Sequence, residues 1–185
     1  VVRNYERGEL AKEILKAFLV GGLVISCVAF PGMAHILKLF NTGSAGERSR
    51  VRRAVQRLEK KGLLIRKIKN GKEIIEVTQA GKSKISEYIV DELYIQRPKK
   101  WDKKWRVLMF DIPETKARVR REVSFRIRDM GMVAIQDSVF LSPFPCKQEV
   151  DFLADHYFVR EYFIYFEADT IECKEDVLKI FKLNK

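Results

Sequence analysis

Between residues 44 and 72 the chain carries 11 Lys/Arg against two Glu, Glu47 and Glu59. Cations at that density are suited to one task, neutralising a polyanion. Within SAGERSRVRRAVQRLEKKG the apolar residues Val51, Ala54, Val55 and Leu58 fall at i, i+3, i+4 and i+7. That spacing predicts one narrow buried stripe on a helix. At 100° per residue the opposite face holds Ser49, Arg52, Arg53, Gln56 and Lys60, with Arg48 and Arg57 on the flanks. An arginine can grip guanine with two parallel bonds, and Gln56 could do so with adenine. Arg48, Lys67, Lys69 and Lys72 suit phosphate contacts, which position without specifying. Ser44, at the start of this helix, completes the candidate DNA-contacting set. A face kept only for solubility normally mixes signs, and this one does not.

A second chemical candidate is Asp111, in RVLMFDIPE. An apolar run of strand type ends on this carboxylate, and a proline opens the next segment. Hard cations such as Mg or Mn want several oxygen ligands, and phosphodiester hydrolysis wants carboxylates that converge. The motif offers one, so a metal site would need a second Asp111 across a dimer axis. The simpler reading is a helix cap that also offsets the helix dipole. His35 and His156 lie in unrelated segments and read as core or surface residues. Cys146 and His156 could form a nucleophile pair, but no neighbour in the sequence activates the thiol. No catalytic residue is assigned.

The basic helix needs a frame. Leu10 to Val20 has helical spacing, with Leu10, Ile14, Ala17 and Phe18 on one side. A second helix is predicted from Pro31, through Met33, Ile36, Leu37 and Phe40, to a stop at Asn41-Thr42-Gly43. Ser44 and Glu47 then match a capping box, and Gly62 ends the basic helix. LLIRKIKNGKEIIEVT reads as a hairpin about Asn70-Gly71, since both residues accept positive φ. A further helix follows, with Ile85, Ile89 and Leu93 every fourth residue. The order is helix, helix, basic helix, hairpin, helix. Together with VTQAGK after the hairpin, residues 9–95 resemble a winged helix-turn-helix transcription factor. That resemblance implies a recognition helix in the major groove and a lysine-tipped wing on a neighbouring phosphate track.

QRPKKWDKKW, polar and lysine-rich, reads as a linker over 96–104. Beyond it come a strand (WRVLMFDI), a helix from Thr115 to Met130 ended by Gly131, and two short strands meeting near Gln136-Asp137. A helix from about Pro145 and a final strand, EYFIYFEA, follow. The order is βαββαβ, a ferredoxin-like split-βαβ layout. The fold class expected is therefore α+β, an N-terminal winged helix-turn-helix over 1–95 followed by a ferredoxin-like domain over 105–185. WRVLMFDIPE, the basic helix after it and QDSVFLSP resemble the middle domain of the PaaX-like regulators, the phenylacetate-degradation repressor family. That domain in turn resembles the small nuclease-like subunit of CRISPR spacer acquisition. The likeness implies a homodimeric repressor that binds double-stranded DNA, with Ser138, Val139 and Phe140 around a dimer-facing hairpin. It also implies an alternative, a Mg- or Mn-dependent nuclease or a spacer-acquisition accessory protein, for which only Asp111 carries over as a metal ligand. Family members usually have a further C-terminal region, whereas this sequence ends on CKEDVLKIFKLNK. The small-molecule effector is left unassigned.

The bulk numbers agree with two jobs. Net charge is +11, and residues 1–98 hold 19 Lys/Arg against 10 Asp/Glu, a net of +9. Residues 99–185 hold 17 against 15, a net of +2. The polyanion-seeking half is the first. Cys27, Cys146 and Cys173 are far apart, with neither zinc spacing nor a disulfide framework, so a reducing, cytoplasmic setting is expected. The charge-free run Phe18 to Ala34 is shorter than the roughly 20 apolar residues of a membrane span. Gly21-Gly22 and Pro31-Gly32 break it, so buried helix and connection are expected there and no membrane partner. The sequence starts at Val1, so some N-terminal residues are expected to be missing.

Overall fold

The computed structural model describes residue 5 and residues 8–18, 32–172 and 174–181. Most of the apolar run at 18–34, with Cys27 and Pro31, lies outside these residues, as does Cys173. The chain divides into two compact units, Val1–Ile89 and Val90–Lys185.

The first unit contains α1 (Glu9–Lys16), α2 (Gly32–Leu39), α3 (Ala45–Lys60), β1 (Leu64–Lys69), β2 (Lys72–Val77) and most of α4 (Gln79–Asp91). Its core draws Leu10, Ile14 and Leu15 from α1, with Phe18 just beyond it, and Ile36 from α2. The α3 stripe Val51, Ala54, Val55 and Leu58 is buried as its spacing predicts. Leu64, Ile75 and Val77 close the core from the base of the hairpin, and Ile85 closes it from α4. Each buried Val, Leu or Ile among them is worth about 1.5–3 kcal/mol of burial. The strands pair antiparallel from Leu64↔Val77 to Lys69↔Lys72. Asn70 at φ 52° and Gly71 at φ 68° make the two-residue turn between them. These are the positive angles a two-residue hairpin needs to match strand twist.

The hairpin is tied down at its base. The Thr78 N–H donates to Leu63 O at 3.0 Å, and the Thr78 hydroxyl donates to Gly62 O at 2.6 Å. The same hydroxyl accepts from the Gly81 N–H at 3.0 Å, at the start of α4. Gly81 is there for space: a Cβ at this position would stand 2.1 Å from the Leu63 carbonyl oxygen.

The second unit contains β3 (Trp105–Phe110), α5 (Ala117–Asp129), β4 (Val133–Gln136), β5 (Val139–Ser142), α6 (Lys147–His156), β6 (Phe163–Ala168) and α7 (Lys174–Phe181). One four-stranded sheet has the order β4-β5-β3-β6, with every pairing antiparallel. Connectivity βαββαβ with β3 and β5 inside is the split-βαβ arrangement. β3 is one of the two inner strands and is buried at every position but Met109.

Residues paired directly across an antiparallel ladder share a sheet face. Leu108, Phe140 and Tyr165 therefore lie on one face. The Arg128 guanidinium of α5 lies over the Phe140 ring at 5.3 Å, and the Lys147 ammonium of α6 lies 5.5 Å from the Tyr165 ring. Both helices therefore cover that face. Phe110 stacks on Phe140 and Phe163 beneath them. Val107, Met109, Leu141, Val139, Phe166 and Ile164 form the opposite face.

The stretch expected as a linker contributes to this unit's core. Trp101 packs edge-on against Trp105 with centroids 5.0 Å apart, and just before that stretch the Ile95 N–H donates to Met130 O at 2.9 Å. Arg106 is buried, and Asp102, Lys104 O, Pro143 O and Glu167 surround its guanidinium.

Candidate nucleic-acid interface

The presentation of α3 starts at its cap. Ser44 has extended backbone, at φ −98° and ψ 159°, and its Oγ accepts from the Glu47 N–H at 3.2 Å. Glu47 Oε2 accepts in return from the N–H groups of Ser44 at 3.1 Å and Gly43 at 2.9 Å. These bonds, led by the one from Ser44, hold the Glu47 carboxyl below the usual carboxylate range. Arg48 is half-buried and donates to Gly43 O at 3.0 Å, so it braces the turn before α3.

With one stripe buried, the rest of α3 faces outward. Ser44, Ser49, Arg52, Arg53, Gln56, Arg57 and Lys60 are all exposed. Arg52, Arg53, Gln56, Arg57 and Lys60 have no side-chain hydrogen bond or ion pair among the described residues. Lys61, exposed at the end of the helix, adjoins the same surface. Lys61 lies outside the DNA-contacting set expected from the sequence, although the Lys60-Lys61 pair is visible there. Arg50 points elsewhere and donates to Tyr5 O at 3.1 Å.

On the hairpin the charges divide. Lys69 and Lys72 are exposed at the tip, directly opposite one another across the ladder. Like charges in that position repel, so an anion brought to the tip relieves a local cost. Lys67, grouped with them as a phosphate contact, is bonded to Glu76 at 2.6 Å. Arg66 is held between Glu59 at 3.0 Å and Glu73 at 2.8 Å, bonds that raise its pKa further. The hairpin's outward cation supply is therefore concentrated at its tip. Ile68, beside these lysines, is 81% exposed.

Asp111 does not cap a helix. It is exposed, and its N–H donates to Tyr162 O at 3.1 Å. A 3-10 turn at Glu114–Lys116 follows, and α5 starts only at Ala117, with Lys116 as its cap residue. Ile112 and Pro113 separate the carboxylate from even that turn, which is why the dipole argument from sequence fails. Among the described residues, no group of three or more His, Cys, Asp or Glu could hold a metal ion. Cys146 and His156 also fail as a pair. They stand at opposite ends of α6, about 15 Å apart along a helix rising 1.5 Å per residue. Burial pushes the Cys146 thiol up to about 11, away from the thiolate a nucleophile requires.

On the sheet face away from α5 and α6, Ile164 is 59% exposed and Phe166 42% exposed. Met109 and Val139, half-buried, continue this apolar strip inward. Ser138 turns the β4–β5 hairpin, and its carbonyl accepts from the Phe110 N–H at 3.1 Å.

The second unit is thus a split-βαβ domain with one helix-covered face and one face with exposed apolar side chains, in a chain that is α+β overall. Residues 98–180 match the family model of the PaaX protein central Cas2-like domain, so this segment of the chain is PaaX-like. No curated protein matches the chain. Among the described residues, no helix is long and apolar enough to cross a membrane.

Proposed function

We propose that this protein is a dimeric, sequence-specific double-stranded DNA-binding transcription regulator that acts as a repressor in the cytoplasm. Its first unit is a winged helix-turn-helix: α3 enters the major groove, and the β1–β2 tip follows the adjacent backbone. The observation that carries this reading is the outward face of α3, where Arg52, Arg53, Arg57 and Lys60 stand exposed beside Gln56 with no side-chain partner among the described residues. Leaving four cations without carboxylate partners suits a surface that meets phosphates and base edges. In this reading Arg52, Arg53 and Gln56 reach bases. Arg57, Lys60, Lys69 and Lys72 hold phosphates, and Ser44 and Ser49 sit at the groove edge. Arg48 and Lys67 are engaged within the protein and contribute mainly field.

Pairing is assigned to the second unit, through the strip of Ile164 and Phe166. A twofold dimer presents two recognition helices to two half-sites, so the target should be an inverted repeat. Selection of bound duplexes from a random pool tests this. The expected result is an enriched inverted repeat with half-site centres about 10–10.5 base pairs apart, or a multiple of that. A pool that stays random would contradict the reading.

A further inference from the structure

We propose that the outward face of α5 is a second DNA-contacting surface, which holds the phosphate backbone without reading sequence. It rests on the DNA-binding reading above and adds a contact made by the Cas2-like domain itself.

Helix α5 carries five arginines, and the fold sorts them into two groups. Arg120 is paired with Glu114 at 2.9 Å, and Arg126 with Asp91 at 2.8 Å and Glu122 at 3.0 Å. These two are committed to the domain's own carboxylates. Arg118 and Arg121 are exposed and have no side-chain partner among the described residues. Arg128 is exposed too; it makes a 3.5 Å bond to Ser124 O and covers the Phe140 ring, and it has no ion-pair partner among the described residues. At 100° per residue, Arg118, Arg121, Phe125 and Arg128 fall within an arc of about 80°. Phe125, inside that arc, is 56% exposed.

The acids of the helix do not neutralise this arc. Glu122 accepts from Arg126 and from the Tyr157 hydroxyl. Asp129, exposed at the last position, lies near Arg118 in angle but about 16 Å away along the axis. Arginines three apart on a helix repel one another, so Arg118 and Arg121 side by side oppose stability unless an anion joins them. The segment 99–185 has a net charge of only +2, yet its unpaired arginines share one outward face. A solubility surface would intersperse the signs.

The occupant that fits is duplex DNA. The three arginines span about 15 Å of helix axis, the length of several phosphate steps at 3.4 Å rise per strand. Guanidinium groups match phosphate geometry, and the Phe125 ring offers an apolar surface to the sugars between.

The test uses the full chain, with a double variant, Arg118→Ala and Arg121→Ala. Affinity is titrated from about 50 to 200 mM salt on a selected operator and on a scrambled duplex of equal length. The variant should lose affinity for both duplexes by the same factor. Its slope of log K against log salt should become shallower by about 1.8, or about 0.9 per lost phosphate contact. The wild-type advantage then shrinks about twelvefold across that salt range. The charge-preserving double variant, Arg118→Lys with Arg121→Lys, should restore the slope, which separates charge from folding. Wild-type affinity and slope in the alanine variant would overturn the proposal and leave the face to an acidic protein partner. Loss confined to the operator would overturn it as well, since backbone contacts carry no sequence. If the wild-type chain binds neither duplex, the DNA-binding reading fails together with this one.

Discussion

Gly81→Ala gives a test in which two physical arguments predict opposite signs. In an ordinary helix, alanine is better than glycine by about 0.5–1 kcal/mol, because glycine loses more freedom on folding. At position 81 the new Cβ would meet Leu63 O at 2.1 Å and Val77 Cγ2 at 2.6 Å, where contact between heavy atoms is normally about 3.5–4.0 Å. The carbonyl cannot swing aside freely, because it accepts the Thr78 N–H at 3.0 Å. Relief by shifting α4 would also strain the Gly81 N–H bond to the Thr78 hydroxyl. Overpacking costs about 1–3 kcal/mol, and a weakened backbone bond adds about 1 kcal/mol. After the helix-propensity gain is offset, the net should be a destabilisation of about 1–3.5 kcal/mol, centred near 2. Urea unfolding, followed by the first unit's transition, should show a midpoint lower by about 1 M for a slope near 2 kcal/mol/M. DNA affinity should fall too, because Leu63, Val77 and Gly81 together fix where the hairpin leaves the core. An unchanged or raised midpoint would refute the packing argument and with it the assignment of Gly81 as the hairpin's seat.

Two further outcomes follow from the capping box, and a third from the exposed strip. Ser44→Ala removes the side-chain half of the box and should cost about 1 kcal/mol in urea unfolding, with weaker DNA binding as the first turn of α3 frays. In the same box, the Glu47 carboxyl is depressed in the folded state. Its stabilisation is therefore present above the ordinary carboxylate range and is lost as pH falls through the folded value. Glu47→Gln should remove that part of the acid-side decline in melting temperature; a variant as acid-sensitive as the wild type would contradict the assignment. Phe166→Glu places a charge in the strip proposed for pairing; in sedimentation velocity the wild type should run as a dimer and the variant as a monomer, with the melt of the monomer unshifted. A dimer that survives would move the pairing surface away from this strip.

Much of the framework is legible in the sequence because it depends on local rules. The capping box at Ser44 and Glu47, the αL pair at Asn70-Gly71 and the α3 stripe are each dictated by residues within a few positions of one another. The βαββαβ order is readable from apolar runs and their punctuation. What the sequence does not convey depends on distance in space. Arg66 looks as free as Arg52, yet Glu59 and Glu73 reach it from α3 and β2. Lys67 looks like a phosphate contact, yet Glu76, nine residues on, bonds it. Ile85, Ile89 and Leu93 read as one stripe, yet Ile85 belongs to the first core and Leu93 packs against the second. Periodicity reports which residues share a helix face and is silent about which core they meet. Asp111 reads as a helix cap because its proline neighbour suggests an immediate helix start. The intervening 3-10 turn, a choice of backbone curvature, has no comparable signal. Gly81 stands in VTQAGK, yet nothing local shows why a glycine is needed there, since its reason is the carbonyl of Leu63, remote in the chain.

The outward side chains of α3 are the centre of this account, and a specificity ratio tests them most directly. The affinity of the full chain for a selected operator is divided by its affinity for a scrambled duplex at one fixed salt concentration, for the wild type and for Arg52→Ala with Arg53→Ala. Each lost base contact is worth about 1–3 kcal/mol of discrimination, so the ratio should fall by at least about tenfold while residual backbone binding persists. A ratio equal to that of the wild type would mean that these arginines read no bases, and the recognition role given to α3 would be wrong.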